Sequence, residues 1–407
     1  MKILIVSQYF WPENFRVNDL AQALAQRGHE ITVLTGKPNY PGGIFFAGYG
    51  AFGRAEEDYD GIRVVRVPLV SRGRGGGVRL ALNYLSFALC ASLLGPLRLR
   101  GGFDVIFVYE PSPITVGIPA LLLKAIKRAP VLLWVQDLWP ESLEAAGAVR
   151  SRLILRIAAW ITRTVYRGCD LILVQSRAFI GAIAGMGIAA DYIRYYPNSA
   201  ETMFRPVTVE GDAPERAQLP AGFRVMFAGN IGAAQDFATI LAAAERLRSR
   251  ADIHWIILGD GRQYDNVVAE VARRGLRGNV HMLGRHPLES MPRYFALADV
   301  MLVTLKKAPI FSLTVPTKVQ AYLACAKPIV AALDGEGARV LGESGAGIAV
   351  EPENAAMLAA AVLTLADTSE KDRRAMGEKG QAYFHAQFDR AKLVAELEGL
   401  MQELAGR

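Results

Sequence analysis

Lys318 opens a short helical stretch, Pro316-Thr317-Lys318-Val319-Gln320-Ala321-Tyr322-Leu323-Ala324, which runs through Lys327-Pro328 into the apolar strand Ile329-Val330-Ala331. A helix begun at a Pro-Thr pair leaves its first N–H groups unpaired, and a lysine beside them adds positive charge. The segment can therefore seat a phosphate or diphosphate. Two glycine turns upstream suit the same anion: Gly229-Asn230-Ile231-Gly232 ahead of Gln235-Asp236-Phe237, and Gly259-Asp260-Gly261 after Ile256-Ile257-Leu258. Each ends an apolar run and lets the backbone approach a ligand, although tight strand–helix packing would also explain the glycines. Two carboxylates stand where other apolar runs stop, Glu110 in Tyr109-Glu110-Pro111 and Asp137 in Gln136-Asp137-Leu138-Trp139-Pro140. A carboxylate at such a strand end is a candidate base, with turn capping as its competing role. Asp260 can equally be a plain turn residue.

These residues need a scaffold, and the chain alternates strand-length apolar runs with helical patterns. Residues 2–6, 30–34, 62–67, 104–109, 130–136 and 170–174 read as strands, separated mostly by helices near 15–28, 78–97, 114–127, 150–167 and 176–184. After a loop rich in Pro, Glu and Gly at about 198–220, strands recur at 222–228, 252–258, 278–283, 299–304, 327–332 and 346–350. Near-continuous Val/Ile/Leu strands with helical crossovers predict parallel sheets covered on both faces. The expectation is an α/β chain of two Rossmann-like, doubly wound domains, residues 1–200 and 201–386, with a helical tail at 370–386 and 389–406 that begins inside the second.

The 407 residues are 52% hydrophobic and 21% charged, which excludes a disordered chain. Cys90, Cys169 and Cys325 lie far apart in apolar surroundings and read as buried thiols; five scattered histidines offer no metal spacing. The first apolar run is too short for a signal peptide and reads as a strand. A dinucleotide would want Gly-x-Gly-x-x-Gly after it, and the chain instead has Ser7-Gln8-Tyr9-Phe10-Trp11-Pro12-Glu13-Asn14-Phe15-Arg16. Asp58-Tyr59-Asp60 matches a metal-binding Asp-x-Asp pattern, but precedes Gly61 and a strand, and so reads as a hairpin turn.

Together, the Lys318 segment, the two glycine turns and Val280-His281-Met282-Leu283-Gly284 resemble the donor half of glycosyltransferase family 4, of GT-B fold. The opening loop and Gly36-Lys37-Pro38-Asn39-Tyr40-Pro41 are similar to those of its exopolysaccharide, capsule and O-antigen subgroup, of colanic-acid or fucosamine type. The resemblance covers nearly the whole chain. It implies two domains facing a central cleft, with the last helix, about 387–407, crossing back to the first. It also implies a retaining, metal-independent transfer of a sugar, an N-acetylated amino sugar in this subgroup, from a UDP-linked donor to a lipid-linked or saccharide acceptor, without a cofactor. By the same resemblance the donor would lie on Gly229, Asn230, Ile231, Gly232, Gln235, Gly259, Asp260, Gly261, Leu283, Pro316, Thr317, Lys318 and Gln320. The acceptor would lie on Glu13, Asn14, Arg16, Asn39, Tyr40 and Trp139, because loops at strand C-termini line the ligand crevice of such sheets. Asp137, Lys318 and Glu110 would serve catalysis. The chain departs from the family at four places: Asn230 and Gln235 stand where many members carry Arg and Lys, and Ser312 and Gln320 stand where they carry glutamates. Capping is the competing role for Asn14. Two rival readings keep the fold, a UDP-sugar 2-epimerase and a non-catalytic scaffold of a polysaccharide assembly complex.

The net charge of +7 has a location. Seven arginines (63, 66, 72, 74, 79, 98 and 100) and no acid lie between Gly61 and Phe103, around an uncharged stretch from Leu80 to Leu97. That stretch is marginal for a bilayer span and reads as a buried or interfacial helix. Arg150, Arg152, Arg156, Arg163 and Arg167 follow between Glu144 and Asp170, again without an acid. On a helix the last four share one stripe bordered by Trp160, with Leu153, Ile157 and Ile161 beyond. Such a face suits an anionic membrane surface, and a solvated arginine face is the plainer alternative. Nucleic acid is disfavoured, since the basic stretches lack stacking aromatics. The expected location is the cytoplasm, peripherally on the inner membrane.

Overall fold

The computed structural model describes residues 1–73, 76–145 and 151–406, and Arg74 and Arg150 lie outside them. The chain divides into two compact units, Met1–Tyr196 with Ala391–Arg407, and Pro197–Arg390.

The first unit is built on an eight-stranded sheet: β1 (Lys2–Val6), β2 (Glu30–Gly36), β3 (Glu56–Tyr59), β4 (Ile62–Val67), β5 (Val105–Glu110), β6 (Val131–Val135), β7 (Leu171–Val174) and β8 (Ile193–Tyr195). The order is β3-β4-β2-β1-β5-β6-β7-β8, parallel apart from β3, which pairs antiparallel with β4. Residues of β1, β5, β6 and β7 are buried on both faces, apart from Lys2 at the start of β1. This is why those runs read as continuously apolar rather than alternating. Helices α1 (Arg16–Gln26), α2 (Gly77–Arg98), α3 (Gly117–Lys127), α4 (Glu141–Ala145), α5 (Arg152–Gly168) and α6 (Ala178–Gly185) lie between the strands. Asp58-Tyr59-Asp60 does form the β3–β4 hairpin: Asp60 has φ +51° and the Asp58 carboxylate accepts from the Gly61 N–H at 3.0 Å.

The second unit carries β9 (Phe223–Ala228), β10 (Ile253–Leu258), β11 (Val280–Gly284), β12 (Val300–Thr304), β13 (Ile329–Ala332) and β14 (Gly347–Val350), all parallel, in the order β11-β10-β9-β12-β13-β14. Its helices are α7 (Pro214–Ala217), α8 (Phe237–Arg246), α9 (Tyr264–Arg273), α10 (Met291–Leu297), α11 (Pro309–Ser312), α12 (Thr317–Ala324), α13 (Gly335–Ser344), α14 (Ala355–Asp367) and α15 (Glu370–Gln387). The last helix, α16 (Arg390–Ala405), returns to the first unit. Leu393, Val394, Leu397, Met401 and Leu404 join the core formed by β1, β5 and α1, and Glu398 pairs with Arg27 and with His29 at 2.9 Å.

In both sheets the strand order reverses direction once, between β1 and β5 and between β9 and β12. At such a point the loops leaving the strand C-termini diverge and open a crevice. The candidate residues lie on these loops and their neighbours.

α2 is buried along one side only. Asn83, Phe87, Ala88, Ala91 and Gly95 face the sheet, while Val78, Leu82, Leu85, Leu89, Leu93 and Leu97 are exposed. The arginine cluster is also smaller than its sequence count. Arg66 is fully buried, paired with Glu57 and donating to the Trp11 and Gly36 carbonyls, and Arg63 pairs with Glu56 at 3.0 Å. Of the three cysteines, Cys169 and Cys325 are buried, but Cys90 is only half-buried.

Candidate active site

In the second unit the turns after β9 and β10 are laced together. The Gly229 N–H donates to the Leu258 carbonyl at 2.9 Å, Ile231 N–H to Asp260 at 2.8 Å, and Gly259 N–H to Gly284 at 2.7 Å. Gly229 has φ +131° and Gly259 φ +136°, backbone that side chains other than glycine rarely adopt. A Cβ on Gly259 would lie 1.9 Å from the Gly229 carbonyl oxygen, and one on Gly229 would lie 2.8 Å from Lys318 Cε. Gly229 thus makes room for the lysine.

Lys318 enters from the first turn of α12. Its Nζ is buried, has no hydrogen-bond partner and sits 3.5 Å from the centroid of the Phe227 ring. Burial lowers its pKa to about 7. No side chain caps α12 at Pro316; the Val319 N–H turns back to the Pro316 carbonyl at 2.9 Å, which leaves the Thr317 and Lys318 amides at the helix start. One turn further on, the Tyr322 hydroxyl accepts from the Ala228 N–H at 3.2 Å and lies 3.3 Å from the Ala228 carbonyl. Tyr322 therefore pins the end of β9 to the helix that carries Lys318, a link the sequence reading missed. The i, i+4 spacing from Lys318 was its available signal.

Other predicted donor residues serve the turn itself. Gln235 accepts from the Gly232 N–H at 3.1 Å, and the exposed Asp260 accepts from the Gly261 N–H at 2.7 Å, in its turn role. Asn230 is exposed at the rim, Ile231 is buried beneath it, and Leu283 packs half-buried on the core below. Gln320 is fully buried, and in the amide orientation that satisfies both its ends the nitrogen donates to the Pro316 and Thr317 carbonyls at 3.1 Å, tying down the turn before the helix.

In the first unit a second set of side chains gathers at the ends of β1, β2, β5 and β6. Glu13 and Asn39, predicted as acceptor contacts, are buried and used internally. Glu13 Oε1 accepts from the Asn39 and Tyr40 N–H groups, each at 2.7 Å, and Asn39 Oδ1 accepts from the Arg72 N–H at 3.0 Å. Enclosure by the loop raises Glu13 to about 7, against the pull of those amides. Asn14 is exposed; the α1 N-cap is Phe15, and no side chain caps it. Arg16 is half-buried at the helix start. Tyr40 stays partly open, with the Arg72 guanidinium 5.0 Å from its ring centroid. Arg72 also donates to the Tyr9 hydroxyl at 2.7 Å, so it belongs to this site and not to a basic patch.

Trp139 is buried and donates from Nε1 to Ser112 at 3.1 Å. Glu110 is wholly buried, and neither carboxylate oxygen has a partner of good geometry. Burial, and after it the neighbouring Asp137, push Glu110 well above the usual carboxylate range, with the Asp137 and Gln136 amides tempering the rise. Asp137 is half-buried and desolvation raises it to about 7, a value suited to exchanging a proton near neutrality. Tyr84 of α2 lies close enough for Asp137 to raise its hydroxyl too, although burial is the larger cause. Arg72 and Tyr84 escaped the sequence reading as members of this site. The polar Asn83-Tyr84 pair inside the apolar α2 run was the signal that pointed to this face. Among the described residues no three His, Cys, Asp or Glu side chains are grouped as a metal site.

Two sheet domains built mainly of parallel strands, each with a strand-end loop site, make up the GT-B architecture, and the comparison with known proteins agrees. Residues 14–199 match the family model described as "Glycosyl transferase 4-like domain", and residues 222–368 match "Glycosyl transferases group 1". A protein of Escherichia coli K12 named as a colanic acid biosynthesis glycosyl transferase, WcaI, is 25% identical over 379 residues, 89% of this chain and 91% of its own. Anabaena HepE solved with UDP superposes with a TM-score of 0.70 at 17% identity, over 99% of this chain and 100% of its own. The α,α-trehalose 6-phosphate synthase of Burkholderia multivorans gives 0.74 at 15%, over 100% and 99%. The chain belongs to the family 4 glycosyltransferases of GT-B fold.

Proposed function

We propose that the protein is a retaining glycosyltransferase that moves a sugar from a UDP-linked donor to a lipid-linked saccharide in surface polysaccharide synthesis, without a catalytic metal or cofactor. The second unit binds the donor and the first the acceptor. The observation that carries this reading is Lys318, a buried ammonium group with no partner, held beside a glycine turn and an uncapped helix end. As the bond between sugar and diphosphate breaks, negative charge grows on the leaving phosphate. Preset amide dipoles and one lysine there stabilise the transition state more than the ground state. Asn230 and Gln235 add no charge, so Lys318 carries more of the neutralisation. Asp137 is the acceptor-side base in this reading, with Glu110 behind it. HepE structures with UDP and with UDP-glucose support the donor class, and the WcaI name supports the polysaccharide. An N-acetylated amino sugar as donor rests on the subgroup resemblance.

Thermal melting with UDP tests the core of this. UDP should raise the melting temperature of the wild type, and Lys318→Ala should lose that shift while melting as a folded protein. Equal shifts in both proteins would remove the diphosphate assignment. A panel of UDP-sugars then identifies the donor by the largest shift.

A further inference from the structure

α2, α3 and α5 lie side by side on one face of the first sheet: α2 packs on β2, β4 and α3, and α3 on α5. Their outer sides hold 13 of the 22 large apolar side chains exposed among the described residues. On α2 the spacing of Leu82, Leu85, Leu89, Leu93 and Leu97 makes one continuous stripe, with Leu89 60% and Leu93 62% exposed. Ile118, Leu122 and Ile126 extend it on α3, and Leu153, Ile157 and Trp160, the last 65% exposed, on α5. A contiguous apolar surface of this kind on a folded domain marks an interaction site.

Charge decides the occupant. The three helices hold eight of the chain's 46 lysines and arginines and none of its 39 acids, leaving 38 against 39 elsewhere. The chain's excess of positive charge is thus matched by the eight cations of these helices, one of which, Lys124, pairs with Asp170. Two such faces would repel one another, which argues against a second copy, whereas an apolar centre flanked by arginines matches a bilayer of anionic lipids. Among the described residues α2 alone is long and apolar enough to cross a bilayer, but its inner side is packed on the sheet, with Gly95 close against Leu34. It therefore lies along the surface.

We infer that this three-helix face inserts its leucines, isoleucines and Trp160 into the headgroup–acyl boundary of an anionic membrane, with Arg152, Arg156, Arg163 and Arg167 at the phosphates beside them. This rests on the reading of a lipid-linked acceptor and extends it, because attachment is mainly apolar rather than electrostatic. Basic side chains alone would be released by salt, whereas buried apolar area is not.

The test is flotation of the full chain with vesicles of phosphatidylcholine and phosphatidylglycerol. Wild type should float, and should stay bound at about 1 M NaCl, where the Debye length is about 3 Å. The triple variant Leu85→Gln/Leu89→Gln/Leu93→Gln should remain in the aqueous phase, with an unchanged UDP-induced melting shift showing that it is folded. Quenching of tryptophan fluorescence by brominated lipid should fall in Trp160→Phe. Release of wild type by salt, flotation of the triple variant, or a dimer on gel filtration that only the triple variant loses would each overturn the inference. The donor assignment is read in lipid-free solution, so either can fail without the other.

Discussion

Lys318 titrates in the range where it must work. Its folded pKa of about 7 lies below the ordinary lysine value, so between about 7 and 10.5 the unfolded chain holds more protons at this position. The cost of burying the charge is therefore present in full below about 7 and is relieved as pH rises above it. Pairing with a diphosphate requires the charged form, so binding UDP at pH 8 should take up close to one proton. Titration calorimetry in buffers of different ionisation enthalpy measures this, and Lys318→Ala should abolish the uptake. The carboxyls of the first unit have the opposite sign. Glu13 and Asp137 are both raised to about 7, so the stability they confer is present at low pH and lost as pH rises through about 7. The urea midpoint of the first unit should fall between pH 5 and pH 8, and Asp137→Asn should flatten that fall. Glu13→Ala strands one buried and one partly buried amide and should cost about 2–4 kcal/mol, whereas Glu13→Gln keeps an accepting oxygen and should cost far less. A thermal melt of the two variants compares them directly.

At the scale of elements, β9, its glycine turn and α12 act as one piece. Tyr322 holds the strand end, Gly229 leaves the gap, and Lys318 fills it. Gly229→Ala should strain the backbone by roughly 1–3 kcal/mol and push the lysine aside, so UDP affinity should fall with the fold retained. A melting curve and a UDP titration on the same sample separate the two effects. The elements themselves were legible in sequence because strands buried on both faces leave long Val/Ile/Leu runs. Short β3 and β8 were missed, having only four and three residues to show a pattern. The donor turns were legible for a related reason: positive φ admits little but glycine. The first-unit site was much less so. Glu13 and Asn39 are polar residues spent on backbone amides, and nothing in a sequence distinguishes those from residues that face a ligand. Arg66 and Arg72 misled likewise, since a buried arginine and a solvated one look alike until their partners are placed.

At the scale of the whole molecule, the first unit is made from both ends of the described chain. Leu397 and Met401 of α16 are fully buried in the core that β1 and α1 begin. Leu397→Ala should therefore cost the first unit about 2–5 kcal/mol, despite lying some 200 residues from the rest of it in sequence. Calorimetry should show one melting transition moved and the second unit's transition unchanged.

The return of α16 also fixes an order of events on the ribosome. Residues 197–390 form the second unit entirely, and they are translated before the helix that closes the first. At 5–20 residues per second, the nascent first sheet waits about 10–40 s with its α16-binding face uncovered. The earlier-made unit is therefore the later one to finish. During that interval it is the part of the newborn chain most in need of a chaperone.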